Sequence, residues 1–173
     1  MTLARELADF LVQMSFNDLP PLPVERAEMA IASTIASAAA GSTISSAAIV
    51  RSIAKATGGT ADASIWFDAG SKLPVANVAR VNAMMSDAAA SDDSDLRNIA
   101  HIGTIVSTTS IAMAQSTDAS GQDVLSAIVL GYEAAGKLLR LSRAQMAQAI
   151  AIAATSIGGL GTAADRGVRV HEG

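Results

Sequence analysis

Apolar residues recur at helical spacing from the start of the chain. Leu3, Leu7, Phe10, Leu11 and Met14 fall on one stripe of the segment Leu3 to Phe16, which predicts a surface helix with one buried face. Leu19-Pro20-Pro21-Leu22-Pro23 cannot continue it, because proline lacks the amide donor and biases the preceding residue toward extended backbone. Pro23 is suited to the first turn of a second helix, Val24 to Ala40, with Glu25 and Glu28 near its positive end and Gly41 as its stop. A third helix is expected from Ser45 to Thr57, ending at Gly58-Gly59. The texture then changes. Ala63-Ser64-Ile65-Trp66-Phe67 gathers aromatic and β-branched residues ahead of the turn-like Asp68-Ala69-Gly70-Ser71, so one short strand or extended arm is expected there. Pro74 opens a helix through Ala90, which the polar run Ser91 to Asn98 closes. Helices follow at His101 to Gln115, Ser120 to Leu139 and Ser142 to Ile157, with Ser120 to Asp123 and Ser142 as caps.

These elements predict an all-α fold, a helical bundle forming one domain over residues 1–173. Ala, Ser and Gly dominate the helix faces, so axes can approach at the lower end of the usual range of about 8 to 10 Å. Such a core is short of bulky anchors, and a second domain or subunit is expected to contribute stability. No tandem repeat or low-complexity tail suggests a solenoid or linker.

Composition narrows the function classes. Half of the residues are hydrophobic, too many for a disordered chain, and the net charge of −4 gives no field for a polyphosphate backbone, so no nucleic-acid partner is expected. The absence of cysteine excludes an iron–sulfur cluster and a thiolate zinc site. Arg5, Glu6 and Asp9 interrupt the apolar N-terminus, which argues against a secretory signal and for a cytoplasmic location. Three stretches run without a charge, Met29 to Val50, Asn98 to Thr117 and Ala144 to Ala164, each long enough for a bilayer, where about 20 residues suffice. They are built from Ala, Ser, Thr and Gly, which gain little from transfer into lipid, and read better as the buried centre of a helical protein.

Chemistry concentrates in Ser91-Asp92-Asp93-Ser94-Asp95-Leu96-Arg97-Asn98-Ile99-Ala100-His101-Ile102-Gly103-Thr104. A polar connection between two apolar helices is where function usually sits. If a helix starts near His101, the amides of Ile102, Gly103 and Thr104 can receive a substrate carboxylate, and His101 stands beside that anion as proton acceptor or donor. The structural alternative is that the aspartates are solvated caps and the histidine a cap. Asp92, Asp93 and Asp95 lack the liganding pattern of a calcium loop, and no metal is assigned. No nucleophile elbow, phosphate loop or metal-binding histidine pair is present. Tyr132-Glu133 places a polar pair in an otherwise apolar helix, read as a buried pair satisfying its own hydrogen bonds.

Several blocks in order resemble the 2-methylcitrate dehydratase family, also called MmgE/PrpD. They are Gly58-Gly59, Ser64-Ile65-Trp66, Val81-Asn82-Ala83, Asp92-Asp93-Ser94 with His101 and Gly103, and Ser120-Gly121-Gln122-Asp123-Val124-Leu125 leading into Ala127-Ile128-Val129-Leu130-Gly131-Tyr132-Glu133. Lys137-Leu138-Leu139 with Ala149 to Leu160 resembles a later helix. The resemblance implies a large helical domain carrying a smaller α/β lid, usually as a homodimer, and cofactor-free proton transfer next to a carboxylate of a di- or tricarboxylic acid. The family's Asp-Asp-Thr falls on Asp92, Asp93 and Ser94, and its following active-site His on His101.

The chain departs from the family pattern in places. Asp87 stands where many members have a His five residues before the acidic pair, and Ala90 where they have an Asp. The resemblance implies a segment with a second active-site His between Gly136 and Lys137 and a lid domain after the helical one, and residues 1–173 contain neither. The family's Lys-x-x-His-x-Gly falls on Val168 to Gly173, leaving Arg169 and His171 as its polar members. The expected function is dehydration, or related lyase or isomerase chemistry, on a small polycarboxylate. His101, Asp93 and Asp92 would be catalytic, and Ser94, Arg97, Gly103, Arg169 and His171 would bind substrate. The alternative is a catalytically incomplete helical fragment that assembles with itself or a partner.

Overall fold

The computed structural model describes residues 3–94 and 100–138. Six α-helices run through them: α1 Leu3–Gln13, α2 Pro21–Gly41, α3 Ser45–Thr57, α4 Val75–Ala88, α5 Ile102–Thr117 and α6 Gly121–Leu138. Two strands, β1 Ala63–Ser64 and β2 Lys72–Leu73, pair antiparallel with Ala63 opposite Leu73. The fold is all-α with a minimal hairpin. The expected helix Ser142 to Ile157 and the stretch Ala144 to Ala164 lie outside the described residues.

Three details differ from the sequence expectation. The first helix stops at Gln13, and Phe16–Asp18 forms a separate 3-10 turn in which Ser15 donates its amide and hydroxyl to Asp18, at 2.9 and 2.6 Å. The second helix begins at Pro21, because first-turn amides have no intrahelical acceptor and prolines lose nothing there. Glu25 and Glu28 therefore lie beyond its first turn. The expected single arm at 63–67 is one side of a hairpin, whose second strand is too short to show a period of its own.

The chain divides into two compact units, Ser15–Tyr132, and Met1–Met14 with Glu133–Gly173. In the second of these the described elements are α1 and the last residues of α6. The larger unit is organised around α4, which packs against α2, α3, α5 and the hairpin. Val78, Val81 and Met85 of α4 are fully buried against Ala38, Ala47, Ala54 and Ala112 from the neighbouring helices and Ile65 and Leu73 from the hairpin. Small residues bring the axes together, as the composition predicts. A Cβ at Gly41 would lie 1.9 Å from the Met85 carbonyl oxygen, so only glycine permits this approach of α2 to α4. At Gly131 a Cβ would lie 2.6 Å from Val106 Cγ1, so the missing side chain makes room on α6 for Val106 of α5.

Asn82 fixes the hairpin. Its Oδ1 accepts the Trp66 amide at 3.1 Å and its Nδ2 donates to the Ser64 carbonyl at 3.4 Å, so a buried side chain on α4 completes the backbone bonding of a strand too short to do so itself. The Ser120 cap forms as expected: Ser120 donates its amide and hydroxyl to Asp123, at 2.9 and 2.7 Å, and accepts the Asp123 amide at 3.2 Å. No single helix among the described residues is long and apolar enough to cross a membrane, and α2 with α3 reaches that length only across a 94° bend.

Candidate functional site

The acidic pair is delivered by an abrupt end to α4. The Ala90 amide donates to the Asp87 carbonyl at 2.9 Å, and Ala90 takes a left-handed conformation, φ +49°, that turns the chain off the helix axis into Ser91, Asp92 and Asp93. The two aspartates then lie against the start of α5, where the positive end of the helix dipole favours carboxylates. His101 is the residue immediately before α5, with its carbonyl accepting the Ile105 amide at 3.3 Å.

Asp92 is the hub. Its side chain is 1% exposed, and its Oδ2 lies 3.0 Å from His101 Nδ1 while accepting the Thr104 hydroxyl at 2.6 Å. Thr104 Oγ1 is in turn 3.0 Å from Ser86 Oγ. Since the Thr104 proton goes to the carboxylate, Ser86 donates to Thr104, and the Ser86 carbonyl accepts Ser37 Oγ at 2.7 Å. Residues from α2, α4 and α5 thus hold one carboxylate oxygen from below. On the other side the imidazole of His101 is 43% exposed. An ionised carboxylate only accepts, so it selects the His101 tautomer with the proton on Nδ1 and the lone pair on Nε2.

Asp93 is held separately. The Tyr132 hydroxyl of α6 donates to Asp93 Oδ2 at 2.5 Å. Burial, then the hydrogen bond to Asp93 and the charges of Asp93 and Asp92, push the Tyr132 phenol well above its ordinary range, so it stays a donor at any physiological pH. Gly103 makes the room: a Cβ there would lie 2.0 Å from Asp93 Oδ1 and 2.2 Å from the Tyr132 hydroxyl. One oxygen of each aspartate, Oδ1, is buried without a hydrogen-bond partner.

The structure therefore brings Asp92, Asp93, Ser94, His101 and Gly103 together, with Ser94 Oγ a loose 3.4 Å from His101 Nδ1. Arg97, Arg169 and His171 lie outside the described residues. The open α5 amides expected from the sequence are not what the fold presents. Ile102, Gly103 and Thr104 are buried, and an internal carboxylate, Asp93, occupies the space over Gly103. Tyr132 and Glu133 are not the buried pair that the sequence suggested: Tyr132 is half-buried and reaches Asp93, 39 positions away, while Glu133 is exposed. Thr104 was read for its amide, whereas its hydroxyl is the part that acts, and Ser86 and Ser37 carried no sequence signal.

Asp87 is the remaining neighbour. One oxygen each of Asp87 and Asp92 and a ring nitrogen of His101 lie within 4.8 Å of one another.

A model of the MmgE/PrpD N-terminal domain matches residues 5–136, which include every residue of this cluster. The chain belongs to the MmgE/PrpD family. No curated protein and no solved structure matches it significantly. The family includes dehydratases, and membership points to dehydratase- or lyase-type chemistry.

Proposed function

We propose that this MmgE/PrpD chain carries the proton-transfer half of a cofactor-free lyase, with dehydration of a small di- or tricarboxylic acid of the 2-methylcitrate type as its reaction. The observation that supports this reading best is the asymmetry of the His101–Asp92 pair, a half-exposed imidazole anchored on a carboxylate that is itself almost wholly buried. In this reading His101 Nε2 takes the proton from the carbon next to a substrate carboxylate, and Asp92 stabilises the imidazolium that forms. Asp93, held by Tyr132 in its protonated-donor state, keeps the acidic loop against α5. The negative charge that develops on the substrate needs cationic or hydroxyl donors. Ser94 is one, and Arg97, Arg169 and His171 are the further groups proposed to bind carboxylates.

A homodimer is the proposed assembly. Ile49 and Ile53, one turn apart on α3, are 60% and 55% exposed, an apolar surface that a second copy would cover. Sedimentation equilibrium of the chain tests this, with Ile49→Asp and Ile53→Asp expected to give monomer.

Replacing His101 by Gln tests the catalytic reading. A general base contributes about 10²- to 10⁴-fold, so a loss of that order in turnover of 2-methylcitrate supports the role, and activity within a few-fold of the parent removes it.

A further inference from the structure

We infer that Asp87, Asp92 and His101 form a binding site for a divalent transition-metal ion, and that an ion bound there displaces the hydrogen bond that makes His101 a base.

The three donors come from different places in the chain: the last turn of α4, the loop after it, and the residue that starts α5. Their ligating atoms all lie within 4.8 Å of one another, and Asp92 Oδ2 and His101 Nδ1 are 3.0 Å apart. That spacing suits two adjacent ligands on one ion, since bonds of about 2.1 Å at right angles put their donor atoms about 3 Å apart. A hydrogen-bonded pair and a coordinated pair thus have the same separation, and the ion can replace the proton once the imidazole turns its Nδ1 from Asp92 Oδ2 toward the ion.

Two independent observations point to a cation rather than to a chance grouping. Asp92 is 1% exposed, and among the described residues its Oδ1 has no partner, so the buried carboxylate has an acceptor oxygen beside the one that meets His101. Asp87, moreover, sits in the last turn of α4, the negative end of a helix dipole, where a carboxylate is disfavoured and a neighbouring cation would relieve it. Asp87 is exposed, so an ion can reach the site from solvent.

The donor set, two carboxylates and one imidazole without a thiolate, suits Zn²⁺ or Mn²⁺ better than Mg²⁺, which prefers oxygen and keeps its waters. Binding through Nδ1 requires that nitrogen to be deprotonated, which moves the ring proton to Nε2. His101 then donates from Nε2 and no longer accepts there. Metal binding itself follows from the cluster geometry alone, and only its inhibitory consequence rests on the proton-transfer reading above.

The test is titration of the full chain with ZnCl₂ by calorimetry, and with MnCl₂ by proton NMR. One zinc per chain is expected, with Asp87→Asn weakening it on the order of tenfold or more and His101→Gln weakening it further. Since the chain has two histidines, His171→Gln leaves the His101 ring protons as the only imidazole signals, and substoichiometric Mn²⁺ should broaden them. Absence of that broadening, or zinc binding to Asp87→Asn as tight as to the parent, would overturn the site. If the metal binds as described but does not slow turnover of 2-methylcitrate by an active parent, the site stands and the inhibition is overturned.

Discussion

Thr104 and His101 meet on the same oxygen of Asp92, the hydroxyl at 2.6 Å and the imidazole at 3.0 Å. One is buried and comes from inside the helical core, while the other is half-exposed, so a single carboxylate oxygen joins the packed interior to the solvent face of the site. The orientation of the histidine consequently depends on how α4 and α5 pack.

Replacing Thr104 by Val keeps the shape of the side chain and removes the donor. Among the described residues Asp92 Oδ2 then keeps only His101, and Ser86 Oγ loses Thr104 as its acceptor. A buried polar group left unsatisfied costs about 1 to 3 kcal/mol, and a loss of stability in that range is expected. Urea denaturation followed by the fluorescence of Trp66, the only tryptophan, measures it. A variant as stable as the parent would show that the hydroxyl does not hold Asp92.

Gly103→Ala is expected to be as damaging despite its small size. The new methyl group would fall 2.0 Å from Asp93 Oδ1 and 2.2 Å from the Tyr132 hydroxyl, so the acidic loop or α6 must shift. Overpacking of this kind typically costs about 1 to 3 kcal/mol. The same denaturation experiment reads it, and a parent-like midpoint would mean that Asp93 is not seated over Gly103.

Tyr132 is the only tyrosine, so its ionisation can be followed directly in the near ultraviolet. Its folded phenol titrates above the ordinary value of 10.0, through burial and then the hydrogen bond to Asp93. A raised folded value means that the contribution to stability is complete below about pH 10 and declines as the pH rises beyond it, because the unfolded chain releases its proton first. Folded protein should show little phenolate at pH 10 to 11, and Tyr132→Phe should flatten the fall in stability over that window. Half-ionisation near pH 10 in the folded state would contradict the buried Tyr132–Asp93 bond.

Asp68 gives the opposite pH dependence at the acid end. Burial raises its pKa, but hydrogen bonds from Lys55 and Ser71 and the charges of Lys55 and Arg51 outweigh that and leave it below the usual 3.8. Lys55 Nζ is 2.6 Å and Arg51 Nε 3.7 Å from the carboxylate, which ties α3 to the turn of the hairpin. A lowered folded value gives stability that is present above about pH 4 and lost as the pH falls through the folded pKa. Asp68→Asn should therefore lose about 1 kcal/mol at pH 7, and its difference from the parent should shrink as the pH falls below about 4. A difference that persists unchanged at pH 2 would assign the effect to packing instead.

The helices were legible where the sequence carries its own punctuation. Gly58 closes α3 and Ser120 with Asp123 opens α6, and both ends fall within a residue of expectation. The start of α2 was misplaced because three prolines in four positions read as a barrier, although a first turn accommodates them. The second strand of the hairpin was invisible because two residues show no alternation and its pairing is held by Asn82 from a distant helix.

The site divides in the same way. Asp92, Asp93 and His101 lie within ten positions of one another, so a charge-dense connection announced them. Ser86 looks like an ordinary helix residue, Thr104 stands out only for its amide and Tyr132 only as a neighbour of Glu133, and what makes their hydroxyls part of the site is how α4, α5 and α6 meet. The approach of α6 to α5 is marked in the sequence only by Gly131, and that glycine has meaning only once its neighbour Val106 is known.

Exchange of the proton next to a carboxylate tests the central claim most directly. The parent chain and His101→Gln are incubated with 2-methylcitrate in deuterium oxide, and the signal of the exchangeable C–H is followed by proton NMR. The account predicts loss of that signal with the parent and a rate about 10²- to 10⁴-fold lower with the variant. Exchange by His101→Gln within a few-fold of the parent would contradict it.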